Sequence, residues 1–100
     1  MFKYLHLGGL VAVGFDPEER YVLTISHSGR GVFSTETWER VARDTTLAYP
    51  EAGIGIGIGP IEGQRIPFTH LDSEHAADCV SPSGRFHLKC ESSGIEVSVA

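Results

Sequence analysis

One hundred residues, with 41% hydrophobic and 21% charged side chains, have the makeup of one globular domain spanning 1–100, large enough to bury roughly 60–70% of the surface of its unfolded chain. Thirteen acidic against eight scattered basic side chains leave a net charge of −5, which argues against nucleic acid as a partner and for a basic protein instead. No apolar run reaches the ~18 residues of a membrane helix, and two cysteines are too few for a disulfide framework.

In chain order, Phe2, Tyr4, Leu5 and Leu7 predict an N-terminal strand, and Gly8-Gly9 a turn. Lys3 and the run Leu7 to Phe15 have the outline of a short signal core. One basic residue and no small-residue cleavage site before Asp16 favour a strand instead, and with it a cytoplasmic protein with Cys79 and Cys90 reduced. Val11, Val13 and Phe15 alternate with Ala12 and Gly14, the period of a strand. Asp16-Pro17-Glu18-Glu19 then reads as a tight reversal, because the fixed φ of proline suits the second turn position.

Tyr21, Leu23 and Ile25 alternate with Val22, Thr24 and Ser26, a β-branched and aromatic run that predicts the second strand of a hairpin. Gly29 closes the next turn, Val32 and Phe33 form a third strand, and Ser34 to Thr37 a further turn. Trp38 to Arg43 carries two readings. Trp38, Val41 and Ala42 at i, i+3 and i+4, with Ser34 or Thr35 as cap, fit a short helix near 36–43; alternation of Trp38 and Arg40 with Glu39 and Val41 fits a fourth strand, which is preferred.

Thr45 to Ala52 reads as a loop, extended at Tyr49 before Pro50. Gly53 to Gly59 is GIGIGIG, with Ile54, Ile56 and Ile58 on one face of a strand and bare backbone on the other. The spacing fits no phosphate cradle, and a bare face instead lets a ring or another backbone approach closely. Pro60 to Gly63 makes a turn, and Arg65 to Thr69 a short strand that Pro67 confines to an edge. His70 to Asp78 holds His70, Asp72, Glu74 and His75, with Cys79 beyond, all metal-ligating types. Their spacing matches no ligand pattern, so the segment reads as a solvated loop with a helical turn at Glu74 to Asp78, and no metal or cofactor is expected.

The tail repeats the opening. SPSGRFHLKCESSGIEV, from Ser81, aligns without a gap on DPEERYVLTISHSGRGV, from Asp16, with six identities in seventeen positions. Pro82 matches Pro17, Arg85 Arg20, Leu88 Leu23, Ser93 Ser28, Gly94 Gly29 and Val97 Val32. Phe86, Leu88 and Cys90 are expected on one buried face, with Ile95, Val97 and Val99 on the last strand.

The outline VAVGFDPEERYVLTISHSGRGVFS resembles one blade of a WD40-type β-propeller over about a third of the chain. Phe33-Ser34 stands where that family usually has Trp-Asp, and Glu19 where it usually has Gly. The resemblance implies a blade-like sheet. The expected fold is all-β or mainly β, of eight to ten short strands: two blade-like antiparallel meanders packed by their greasy sides as a sandwich or small barrel, completed by the N-terminal and Gly-rich strands.

Catalysis finds no support. His27 between Ser26 and Ser28 has no geometry for a nucleophile and base, so an enzyme is not expected. A small, acidic chain without catalytic motif is similar in type to bacterial immunity proteins, which neutralise a toxin enzyme, often a basic nuclease. That likeness implies carboxylates meeting a basic cleft, with Asp16, Glu18, Glu19, Glu36 and Glu39 as candidates and Trp38, if exposed, as an aromatic anchor. The alternative is a structural, self-assembling β-module that uses exposed edges and the Gly-rich strand.

Overall fold

Short β-branched runs cut by turn residues give eleven strands among the residues that the computed structural model describes, namely 2–45, 53–71, 77–91 and 93–99. They are β1 (Phe2–His6), β2 (Leu10–Phe15), β3 (Tyr21–Ser26), β4 (Gly29–Ser34), β5 (Arg40–Asp44), β6 (Ile54–Ile56), β7 (Arg65–Pro67), β8 (Thr69–His70), β9 (Ala77–Val80), β10 (Phe86–Glu91) and β11 (Gly94–Val99). The only helical piece among these residues is a 3-10 turn at Gly59–Ile61. The fourth segment is a strand, β5, and no helix forms near 36–43, but the strand opens only at Arg40: Trp38 and Glu39 precede it, and a register shift at Val41 breaks the expected alternation.

All pairing is antiparallel. The first sheet has the order β5-β4-β3-β2-β8, the second β1-β11-β10-β9, and β6 pairs with β7 alone. The N-terminal strand thus completes the second sheet, whereas the Gly-rich strand joins neither large sheet.

The opening corners of the two copies adopt one conformation, down to single hydrogen bonds, whereas at the next turn Gly29 has φ 133° and its counterpart Gly94 no positive φ. In the first corner the Asp16 N–H donates to Tyr21 O, Asp16 Oδ1 accepts the Tyr21 N–H at 2.7 Å, and the Glu19 N–H donates to Asp16 O. In the second corner the Ser81 N–H donates to Phe86 O, Ser81 Oγ accepts the Phe86 N–H at 2.9 Å, and the Gly84 N–H donates to Ser81 O. The residue that ends each reversal is left-handed, Glu19 at φ 58° and Gly84 at φ 80°. A corner that needs this conformation suits glycine; a glutamate there is strained by roughly 1–2 kcal/mol.

The equivalent faces of the two sheets do not meet. Taking the front of each sheet as the side of Leu23 or its counterpart Leu88, the front of the second sheet packs on the back of the first. Phe86, Leu88, Cys90, Ile95 and Val97 share one core with Val13, Phe15, Val22, Phe33 and Trp38. Leu23 and Val32, counterparts of Leu88 and Val97, face the other way and are covered by Ile61 and Ile66, with Phe68 alongside. Two greasy sides packed on each other, as the sequence leads one to expect, are therefore replaced by front-to-back stacking. The reason lies in β3, where Val22, Leu23, Thr24 and Ile25 are all buried, so the first sheet is apolar on both sides. In β10 burial alternates strictly, and His87, Lys89 and Glu91 leave the back of the second sheet to water.

Segment 53–68 is the lid on the first sheet, and β8 beyond it joins that sheet's edge. Within it, Gly55 and Gly57 are buried while Ile56 is 48% exposed, the reverse of a greasy face turned inward. A Cβ at Gly55 would collide with the Phe68 ring, and one at Gly57 with the Ile61 carbonyl. The bare side is the packed side because only bare backbone lets the segment lie that close. Cys79 and Cys90 are free, buried thiols; burial holds that of Cys90 protonated, its pKa pushed up to about 12, as a core residue.

Leu88→Ala, in the core between the sheets, is expected to lower stability by about 2–5 kcal/mol in denaturant unfolding. Gly55→Ala, normally neutral or stabilising in a strand, is expected to destabilise by more than 1 kcal/mol because the Phe68 ring must move. An unchanged Gly55→Ala midpoint contradicts the close packing of the lid.

Candidate functional site

In a meander every second turn falls at the same end of its sheet. The turns β2–β3, β4–β5 and β9–β10 accordingly gather at one end of the molecule, around a groove of about 570 Å³ bordered by Glu18, Glu19, Arg20, Glu36 and Arg85. They are stitched to one another. The Thr35 hydroxyl donates to Glu19 O at 2.7 Å, and its N–H to Arg20 O at 2.9 Å. Glu19 Oε1 accepts from the Ser83 hydroxyl at 2.8 Å, which ties the first sheet's corner to the second's.

Each residue singled out from the sequence has a definite place here. Asp16 is 3% exposed; its two oxygens accept the Tyr21 and Glu18 N–H groups, so it builds the corner and is withdrawn from any partner. Glu18 is exposed and pairs with Arg20 at 3.3 Å, a contact open to solvent and worth little to stability. Glu19 is committed to the Ser83 link. Glu36 and Glu39 are exposed on the β4–β5 turn.

Trp38 is 3% exposed and belongs to the core, which removes it as a surface anchor. Its indole meets the Phe86 ring edge-on with centroids 5.6 Å apart, and its backbone is left-handed at φ 59°. Its Nε1–H is buried without an acceptor among the described residues. An unpaired buried N–H costs about 1–3 kcal/mol, which the packing of the large ring must offset.

Arg20, Arg85 and Ser83 belong to this end although the charge pattern alone did not select them. The repeat carried the signal, because Arg20 and Arg85 occupy equivalent corner positions. Arg85 lies over the Phe86 ring, its guanidinium carbon 4.9 Å from the centroid. Lys3 also reaches this end, its Nζ donating to Thr37 O at 3.4 Å, so the carboxylates of Glu18, Glu19, Glu36 and Glu39 stand against the cations Lys3, Arg20 and Arg85, a balance of one negative charge.

Of the metal-ligating types, Asp72, Glu74 and His75, with the helical turn drawn at Glu74 to Asp78, lie wholly or partly outside the described residues, as does most of the loop Thr45 to Ala52. His70 is exposed on β8, Asp78 pairs with His87 at 3.1 Å, and Cys79 faces the core. Among the described residues no three such groups converge. No helix among them is long and apolar enough to cross a membrane. Comparison with family models, curated proteins and solved structures gave no match to this chain.

The hydroxyls of Ser81 and Ser83 hold the Glu19 carboxyl below its usual range near 4.5. A carboxyl depressed in the folded state stabilises above its unfolded pKa, and that contribution is lost as pH falls through the folded value. Glu19→Gln is thus expected to lower the melting temperature by a constant amount above about pH 5.5, with the gap to the parent protein closing in more acid solution. A gap that widens in acid contradicts the link.

Proposed function

We propose that this chain is a non-catalytic binding protein that presents its turn end to a basic protein surface, most concretely as an immunity-type inhibitor that neutralises a basic toxin enzyme in the cytoplasm. The observation that supports this reading most is convergence. Glu18 from one turn and Glu36 and Glu39 from another, far apart in sequence, reach one end of a rigid sandwich with their carboxylates exposed. Carboxylates held on stitched turns lose little entropy on docking and impose a field that speeds encounter with a cationic cleft.

The self-assembling alternative is less well supported. Front-to-back stacking could in principle continue from copy to copy, since such an interface does not close on itself. Here the lid 53–68 occupies the free front, and the free back carries His87, Lys89 and Glu91.

The test is capture of a partner from host extract on the immobilised protein at low salt, followed by assay of the captured enzyme. The association rate is expected to fall about tenfold between 50 and 500 mM salt, and the Glu18→Gln, Glu36→Gln, Glu39→Gln triple variant to lose most of that dependence. Binding that ignores both salt and the triple substitution contradicts the proposal, as does a captured protein whose activity is unaffected.

A further inference from the structure

A second feature runs along the first sheet from Arg40 towards the β1–β2 and β3–β4 turns, built by an irregularity in β5. Arg40 and Arg43 stand three residues apart, and in an unbroken strand they would project from opposite faces. The register shifts between Val32↔Ala42 and Phe33↔Arg40, so Val41 is the extra residue of a β-bulge and turns out to solvent, 47% exposed. The shift puts Arg43 opposite Gly31 and Arg40 opposite Phe33, both on the back of the first sheet. There the sheets part into a cleft of about 200 Å³, bordered by Leu7 and Gly8 of the β1–β2 connection on one side and by Thr24, Gly31 and the two arginines on the other.

Arg40 is folded into this space. Its guanidinium carbon lies 5.3 Å from the centre of the Phe33 ring, and its Nε is 3.5 Å from where Gly31 would carry a Cβ. A Cβ at Gly31 would lie in ordinary contact with it, and among the described residues no acceptor takes the exposed N–H edges of the guanidinium. Neither arginine has a carboxylate partner among the described residues. Asp44 also borders the cleft, but its carboxylate is held by Arg30, whose Nη1 reaches Ile56 O of the lid on the front side. Two exposed arginines that line one cleft, with no acidic partner among the described residues, in a protein of net charge −5, leave their charge unaccounted for by the packing described.

We propose that this cleft binds the phosphoryl group of a small molecule, with the guanidinium forks of Arg40 and Arg43 each donating to its oxygens. A dianionic group with three acceptor oxygens matches two cationic forks in both charge and number of donors. The small volume, closed on one side by the β1–β2 connection, selects a compact ligand over a peptide segment.

The experiment is a titration of the isotope-labelled protein with inorganic phosphate and pyrophosphate at constant ionic strength, following the amide signals of Gly8 and Gly31 and the arginine side-chain N–H signals. Saturable shifts confined to the cleft are expected, with a dissociation constant on the order of 0.1–5 mM. Arg43→Ala and Arg40→Met are each expected to weaken binding about tenfold, the methionine keeping the apolar stem over Phe33 so that lost charge is separated from lost packing. Arg65→Ala, on β7 beyond the cleft, is expected to change nothing. Shifts at Arg65 as large as at Arg43, absence of saturation by about 20 mM, or affinity untouched by Arg43→Ala would overturn the proposal. Tighter binding of a phosphoserine peptide than of either inorganic anion would overturn the small-molecule assignment.

Discussion

The seating of Phe86 on the back of the first sheet organises this molecule. Its ring stacks on Phe15 with centroids 6.0 Å apart and takes the edge of Trp38 at 5.6 Å. Three separate parts of the chain meet on that one side chain: the strand that leads into the first corner, the turn that follows β4, and the start of β10. Burial of a large apolar area at a point that only one relative placement of the sheets can provide fixes the stack. The costs at Trp38, a left-handed backbone and an unpaired indole N–H, are offset at this same point.

Two consequences follow for function. Because the second sheet is laid on the first in the same orientation, equivalent corners come to the same end, which is why Glu19 can reach Ser83 and why the acidic turns share a surface with Arg20 and Arg85. The stack also leaves a seam, where the bulge in β5 puts Arg40 and Arg43 on one face. The acidic turns and the arginine-lined cleft thus lie on neighbouring parts of one small sandwich, joined through Glu39 and Arg40, each on elements whose positions the core determines.

Much of this was legible in the sequence, and the reasons for the rest are physical. The duplicated corner could be read because turn chemistry is local: Pro17 and Pro82, and the arginines after each reversal, mark the same backbone path. The face that each copy turns to the other could not be read from the alignment, since Leu23 and Leu88 are equally apolar. A signal existed all the same in the contrast between the unbroken run Val22 to Ile25 and the strict alternation of Phe86 to Glu91. The first is the mark of a strand buried on both sides, the second of a strand buried on one. Asp16 was read rightly as a turn residue and, for that very reason, was unavailable as a contact residue. Nothing local says where a turn aromatic such as Trp38 points; the distant Phe86 decides it. The bulge at Val41 left no trace in composition, and with it the arginine pair stayed hidden.

The orientation of the stack is most directly tested by nuclear Overhauser measurements on the Phe86 ring. Cross-peaks from it to the Phe15 ring and the Trp38 indole, with none to the Leu23 methyl groups, are the expected result. Strong contacts between Phe86 and Leu23 would mean that the two sheets meet front to front, and would contradict the arrangement on which both features depend.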